Sequence, residues 1–152
     1  MKIVEVGDTA YQFPPARFAA EFLIYSDILS PDDVSNRLRL QATHAATKGV
    51  KIGERTNTPV SIPRHMWQLS SEPNIVAADL DSHLSWLLAK LTPLHDQLRA
   101  IRSLGSTELC LVGRVWTSGT SAHVGIAKPT MEALLALDLE LQLEFADYGH
   151  DE

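Results

Sequence analysis

The sequence predicts an α+β fold of two layers: a mainly antiparallel sheet with one long helix and two short helices packed largely on one face. Three observations carry this reading. Met66-Trp67-Gln68-Leu69-Ser70-Ser71 reads as a strand running into a polar turn. Leu80, Leu84, Leu87, Leu91, Leu94, Leu98 and Ile101 recur at alternating spacings of four and three, the period of a helix buried along one face. Leu139, Leu141, Leu143 and Phe145 alternate with Glu140, Gln142 and Glu144, so the last strand places one face on a core and the other in water. A half-solvated strand argues against an all-parallel sheet covered on both sides.

The elements follow in order. Residues 3–6 suggest a short strand and 11–15 a turn. Residues 18–25 form a stronger strand, rich in aromatic and β-branched side chains. Ser30 opens a short helix, with Pro31 at its first position and Asp32 and Asp33 in the first turn, where the helix dipole favours negative charge. Leu29 and Val34 flank that start as a hydrophobic staple. The helix ends near Leu40, after Leu38 has faced the core.

Residues 41–63 form a long irregular stretch interrupted by Gly49, Gly53, Pro59 and Pro63, within which 50–52 and 60–62 are matched as a minor hairpin. After the strand at 64–70, Asp79 caps the long helix. Pro93 removes a backbone hydrogen bond inside it and clashes with the carbonyl of Ala89, so a kink or short break is expected there. The helix resumes to Ser103 and Gly105 ends it as a left-handed cap. Residues 108–117 are apolar on both faces and read as a central strand, followed by a turn-rich loop. Pro129 starts a short helix carrying Met131, Leu134 and Leu135, ahead of the final strand.

A chain of 152 residues suggests one domain spanning 1–152 and large enough to fold without a metal or disulfide. Its single cysteine, Cys110, sits between Leu109 and Leu111 and reads as a small buried apolar residue. No stretch reaches the roughly 18 apolar residues of a membrane span. The first residues lack the apolar core of a signal peptide, so the expected compartment is the cytoplasm.

Formal net charge is −6 and unevenly spread. Lys48, Lys51, Arg55 and Arg64 face only Glu54 between His44 and His65, whereas the segment from residue 138 onward holds six acidic residues (Asp138, Glu140, Glu144, Asp147, Asp151, Glu152) and no Lys or Arg. That balance argues against nucleic-acid binding, which needs a dense basic face.

The order of these segments resembles a bacterial family called domain of unknown function 4279. The likeness rests on four stretches. They are Asp27-Ile28-Leu29-Ser30-Pro31-Asp32-Asp33-Val34 with Leu38; Trp67-Gln68-Leu69-Ser70-Ser71; Leu80 with His83-Leu84 and Leu87-Leu88; and Pro129 with the 134–137 helix leading into 139–148. Together they span about residues 18–148. Two departures stand out. Lys128 precedes Pro129 where the family has serine, which removes a cap, and Asp138 stands where a glycine is usual. The resemblance implies a fold and no activity.

No catalytic constellation is assembled in the sequence. The histidines (His44, His65, His83, His95, His123, His150) show no compact ligand motif, so no metal and no cofactor is expected. His83 and His95 read as flank positions beside the stripe. Ser118-Gly119-Thr120-Ser121 with His123 lacks the strand–turn–helix setting of a nucleophile elbow. Lys48-Gly49-Val50-Lys51-Ile52-Gly53 matches no phosphate loop, though glycines and lysines suit a weak anion site.

Two functional expectations result. The first is a non-enzymatic protein-interaction module, of which an immunity-type protein is one form, that meets a basic protein partner through Trp86, Glu140 and Glu144. The second is a small-molecule or anion-binding protein, or an unrecognised enzyme, that uses the loop at 43–64 with Lys48, Lys51, Arg55, Arg64 and Trp67.

Overall fold

A computed structural model describes residues 16–53, 58–117 and 122–147. The expected strand at 3–6, the turn at 11–15, Arg55, the loop at 118–121 and His150 lie outside the described residues. Seven strands and four helices follow in chain order: β1 (Arg17–Ser26), α1 (Pro31–Leu38), β2 (His44–Ala46), β3 (Lys51–Ile52), β4 (Val60–Ser61), β5 (His65–Ser70), α2 (Leu80–Leu91), α3 (His95–Arg102), β6 (Thr107–Thr117), α4 (Lys128–Ala136) and β7 (Leu141–Asp147).

Five strands form one sheet in the order β2-β5-β1-β6-β7. The β2·β5, β5·β1 and β1·β6 pairs are antiparallel and only β6·β7 is parallel. The fold is α+β with a mainly antiparallel sheet, as the sequence predicts.

Alternation along the strands sets the two faces. Phe18, Ala20, Phe22 and Ile24 of β1, Trp67 and Leu69 of β5, and Leu111 and Val115 of β6 enter the core. They meet Val34 and Leu38 of α1, Leu80, Leu84, Leu87, Leu88 and Leu91 of α2, Leu98 and Ile101 of α3, and Leu134 of α4. Trp67 is its largest fully buried side chain, edge-on to Phe22 at 6.4 Å between ring centroids, with its indole N–H donating to Ser35 Oγ at 3.0 Å. That bond satisfies the one polar atom a tryptophan brings into a core.

The helix starts are capped as their sequences require. Ser30 Oγ accepts from the Asp33 N–H while Asp33 accepts from the Ser30 N–H, a reciprocal capping box at α1. Asp79 takes both the N–H and the hydroxyl of Ser82 at α2, and the backbone bond leads in holding its carboxyl below the ordinary value. Ala127 gives α4 no side-chain cap, as the Lys128 departure implies. At Pro93 the long helix does break: Thr92–Leu94 form a single 3-10 turn between α2 and α3, and the stripe continues across it into Leu98 and Ile101.

Three expectations are corrected here and one is met. Ser106, at φ 55°, and not Gly105 takes the left-handed position after α3, because the chain runs one further residue before turning into β6. The stretch at 41–63 holds β2, which pairs with β5 in the register His44↔Gln68, Ala45↔Trp67 and Ala46↔Met66. The minor hairpin forms as expected, with Lys51↔Ser61 and Ile52↔Val60. Cys110 is half-buried on the sheet face away from the helices, not enclosed.

The largest correction concerns β7. It is an edge strand, and the face that alternation assigns to the core is only partly covered: Leu143 is 41% and Phe145 60% exposed. The register Leu111↔Leu141, Gly113↔Leu143 and Val115↔Phe145 puts these residues on the helix-bearing side. Gly113 lets Leu143 lie close, since a Cβ there would meet Leu143 and Leu80 carbons at 3.0 Å. Leu139, just before the strand, is the member of the series that is buried.

Candidate interaction surface

The two sets of residues singled out by sequence meet different fates. In the basic stretch, Arg64 is locked into the protein. One of its guanidinium nitrogens donates to the Ser106 carbonyl at 2.9 Å and to the Tyr25 carbonyl at 3.5 Å. Another lies 3.3 Å from Glu108, and Nε sits 3.7 Å from Asp27. Lys48 Nζ reaches the same Asp27 oxygen at 3.4 Å. The loop amides are engaged as well: Lys48 N–H donates to His65 Nδ1, Gly49 N–H to the Ile62 carbonyl and Val50 N–H to the Thr47 carbonyl. An anion-binding nest needs such amides free and convergent. Lys51 is exposed and Trp67 is in the core, so these two described members of the loop set do not face one cavity.

The histidines are likewise dispersed. His44 sits on β2 opposite Gln68, three positions along β5 from His65, and among the described residues no cluster of His, Cys, Asp and Glu has metal-site geometry. His83 is buried and not a flank residue. Its Nε2 lies 3.1 Å from the Ala77 carbonyl, which makes Nε2 the protonated nitrogen. Nδ1 then accepts from Ser71 Oγ at 2.7 Å, and Ser71 Oγ in turn accepts from the Ala20 N–H at 2.8 Å. This serine–histidine pair resembles a catalytic one only in composition. Ser71 is fully buried, and the hydrogen bonds join β1, the turn after β5 and α2.

Charge on the far face of the sheet is organised around Arg114. Its Nε donates to Glu21 at 2.6 Å, and a second nitrogen pairs with Glu144 on β7. Glu21 is nearly enclosed, and its hydrogen bond is the leading cause that raises the Arg114 pKa. Burial pushes the neighbouring Tyr25 phenol and Cys110 thiol up, with Glu108 adding to the effect on the thiol. A thiol so placed is a poor nucleophile.

Of the expected partner-binding residues, Trp86 is half-buried with the Lys90 ammonium 5.6 Å from its ring centroid. It lines a cleft of about 360 Å3 with Leu40, Gln41, Thr43 and Asn74. Glu140 is exposed and precedes β7. Glu144 projects with Arg114 on the far face, as alternation predicts, but its charge is paired. Asp138 is paired too, with Arg102 at 3.3 Å. Glu140 and Asp147 are the acidic residues of this edge that keep no cation partner among the described residues.

Sequence reasoning placed partner contacts on the acidic side chains of this strand but missed the open edge and exposed apolar face of β7. Its outer backbone edge is unpaired among the described residues, over seven residues, beside the exposed Leu143 and Phe145. In α4, which precedes β7 in the chain, Met131 and Leu135 are also exposed. The period-two pattern signals the strand, but it cannot tell a covered apolar face from an open one.

The model of a family described as domain of unknown function (DUF4279) matches residues 16–148. The chain belongs to this family. No curated protein and no solved structure matches it. The matched region begins at the first described strand and runs just past the end of β7, so the family unit includes both edges of the sheet. Asp138 adopts the left-handed conformation at φ 53°, which Asp tolerates better than most residues. Among the described residues no helix is long and apolar enough to cross a membrane.

Proposed function

We propose that this family member is a non-enzymatic interaction module of the bacterial cytoplasm that receives an extended, basic segment of a partner protein along β7. An immunity-type protein masking a basic partner is one form of such a module. The observation that carries the reading is the open β7 edge. Among the described residues no strand pairs the outer edge of β7, and such an edge with exposed apolar side chains is a template for strand addition that proteins ordinarily blunt. Alternating pockets for side chains then supply specificity. Leu143 and Phe145 offer apolar contacts on one side of an added strand. Glu140 and Asp147, near the two ends, offer unneutralised carboxylates to lysine or arginine. From residue 129 onward the chain has no Lys or Arg, so a basic segment meets no like charge on this edge.

A peptide-display selection against the purified protein tests this. Enriched peptides should alternate apolar residues with Lys or Arg, and their binding should be lost in Phe145→Thr, a change that keeps strand preference while removing the apolar contact. Selected peptides that are acidic, or that bind Phe145→Thr as well as the wild type, would overturn the proposal. So would a stable dimer in sedimentation that Phe145→Thr dissolves, because the edge would then be occupied by a second copy of the chain.

A further inference from the structure

A second candidate site lies away from β7's outer edge, in a cleft of about 440 Å3 between α3 and the turn joining α4 to β7. His95, Arg99 and Arg102, spaced four and three apart, line it from one side of α3, with Leu137 and Asp138 across from them. From these side chains we infer that the cleft binds a small molecule through a phosphate group.

Three features favour a ligand over a purely structural role for these cations. Arginines in a last helical turn commonly stabilise the helix's own carbonyls. Here those carbonyls are already engaged: Arg99 O accepts from Ser103 N–H, Ile101 O from Leu104 N–H and Ala100 O from the Ser103 hydroxyl. Arg102 instead points across the cleft, donating to the carbonyls of Asp138 at 2.9 Å and Leu137 at 3.4 Å, which fixes its guanidinium. Arg99, one turn away, is exposed and has no hydrogen-bond or ion-pair partner among the described residues.

A fixed guanidinium beside a free one is an arrangement suited to an oxyanion with several acceptor oxygens, because each planar fork can donate two parallel bonds. His95, half-exposed, adds a third donor at the cleft mouth and is 3.4 Å from Asp96. Asp138 is the one carboxylate in the lining. It reaches Arg102 at 3.3 Å and is 92% exposed, so it can turn to solvent when an anion enters. The volume falls in the range of small-molecule sites, roughly 300–1,000 Å3. That exceeds what a bare phosphate fills, and the apolar Leu137 in the lining suits the rest of an ester.

The test is titration of the full chain with sodium phosphate, adenosine monophosphate and succinate, followed by backbone amide shifts. Saturable one-to-one shifts at residues 95–103 and 137–138 are expected with both phosphates. Tighter binding of the nucleotide would identify an ester as the ligand, and equal binding would identify free phosphate. Arg99→Gln should weaken either by about tenfold or more, as for a lost charge-assisted contact, with Arg99→Lys intermediate. Lys51→Gln, on the hairpin, should change nothing. Both arginine variants alter an exposed side chain and should fold as the wild type does. Absence of saturable shifts with both sodium phosphate and adenosine monophosphate up to about 10 mM, weaker than any useful small-ligand affinity, would overturn the inference. Binding of succinate as tight as phosphate would overturn the ligand class, and undiminished binding by Arg99→Gln would overturn the site.

Discussion

The two edges of the sheet end in opposite ways. β2 has three residues, His44, Ala45 and Ala46, with no large apolar side chain, and the chain leaves it at once for the β3–β4 hairpin. β7 has seven residues and carries Leu143 and Phe145 into solvent. Short, bland edges resist pairing with other chains, whereas long apolar ones invite it. The difference suggests where to look for a partner: among the described residues β2 is a short, bland edge and β7 a long, apolar one.

The substitutions with the largest expected effect touch neither edge and set the scale for the others. Leu87 and Leu91 are fully buried in the helix layer that supports the whole sheet. Changing either to Ala should cost about 2–5 kcal/mol in a denaturant melt, and losses below about 0.5 kcal/mol would mean the helix face is wrongly assigned. Arg114→Ala comes next. It strips the cation from enclosed Glu21 and also frees Glu144 on β7. Breaking a buried pair costs roughly 3–5 kcal/mol, and because Arg114 is about one-third exposed the expected loss is about 2–3 kcal/mol. Nothing of this kind ties β2 to the interior, so Ala45→Lys should leave stability within about 0.5 kcal/mol. A melt in which Ala45→Lys is the more damaging change would reverse the contrast.

How much of this was legible in sequence depends on whether the signal is local. The 3.5-residue stripe of α2 and α3, the break at Pro93 and the Ser30 cap are written in adjacent residues, and each forms where expected. β2 was illegible because Ala45 and Ala46 carry no alternation. Its pairing with β5 defines it, and that pairing spans 20 to 24 residues of chain. The burial of His83 likewise depends on Ser71 and Ala77, which no helical periodicity announces. Arg64 looked free because its captors are mainly carbonyls and carboxylates of β1, β6 and their connections. The spacing of His95, Arg99 and Arg102 on one helix side was open to inspection in the sequence, but the opposite wall at Leu137 and Asp138 comes from a segment more than thirty residues later.

Smaller effects sharpen the comparison at β7. Glu144→Gln should cost about 0.2–1 kcal/mol, the worth of an exposed ion pair, because Arg114 keeps Glu21. Adding Glu140→Gln should contribute nothing further to stability, since Glu140 has no partner among the described residues. The pair of changes should slow association with a selected basic peptide and flatten its salt dependence, because rim charges act mainly on encounter. Equal association rates for wild type and double variant at low and high salt would remove the acidic contribution and leave the apolar edge alone.

The most direct measurement is amide hydrogen exchange along both edges, with and without a selected basic peptide. In the free protein, β7 amides that face outward should exchange rapidly, as should the outward amides of β2. With peptide bound, protection should rise at β7, between Leu141 and Asp147, and stay unchanged at His44–Ala46. Protection gained at β2, or at neither edge while the peptide is bound, would contradict the assignment of β7 as the partner-binding edge.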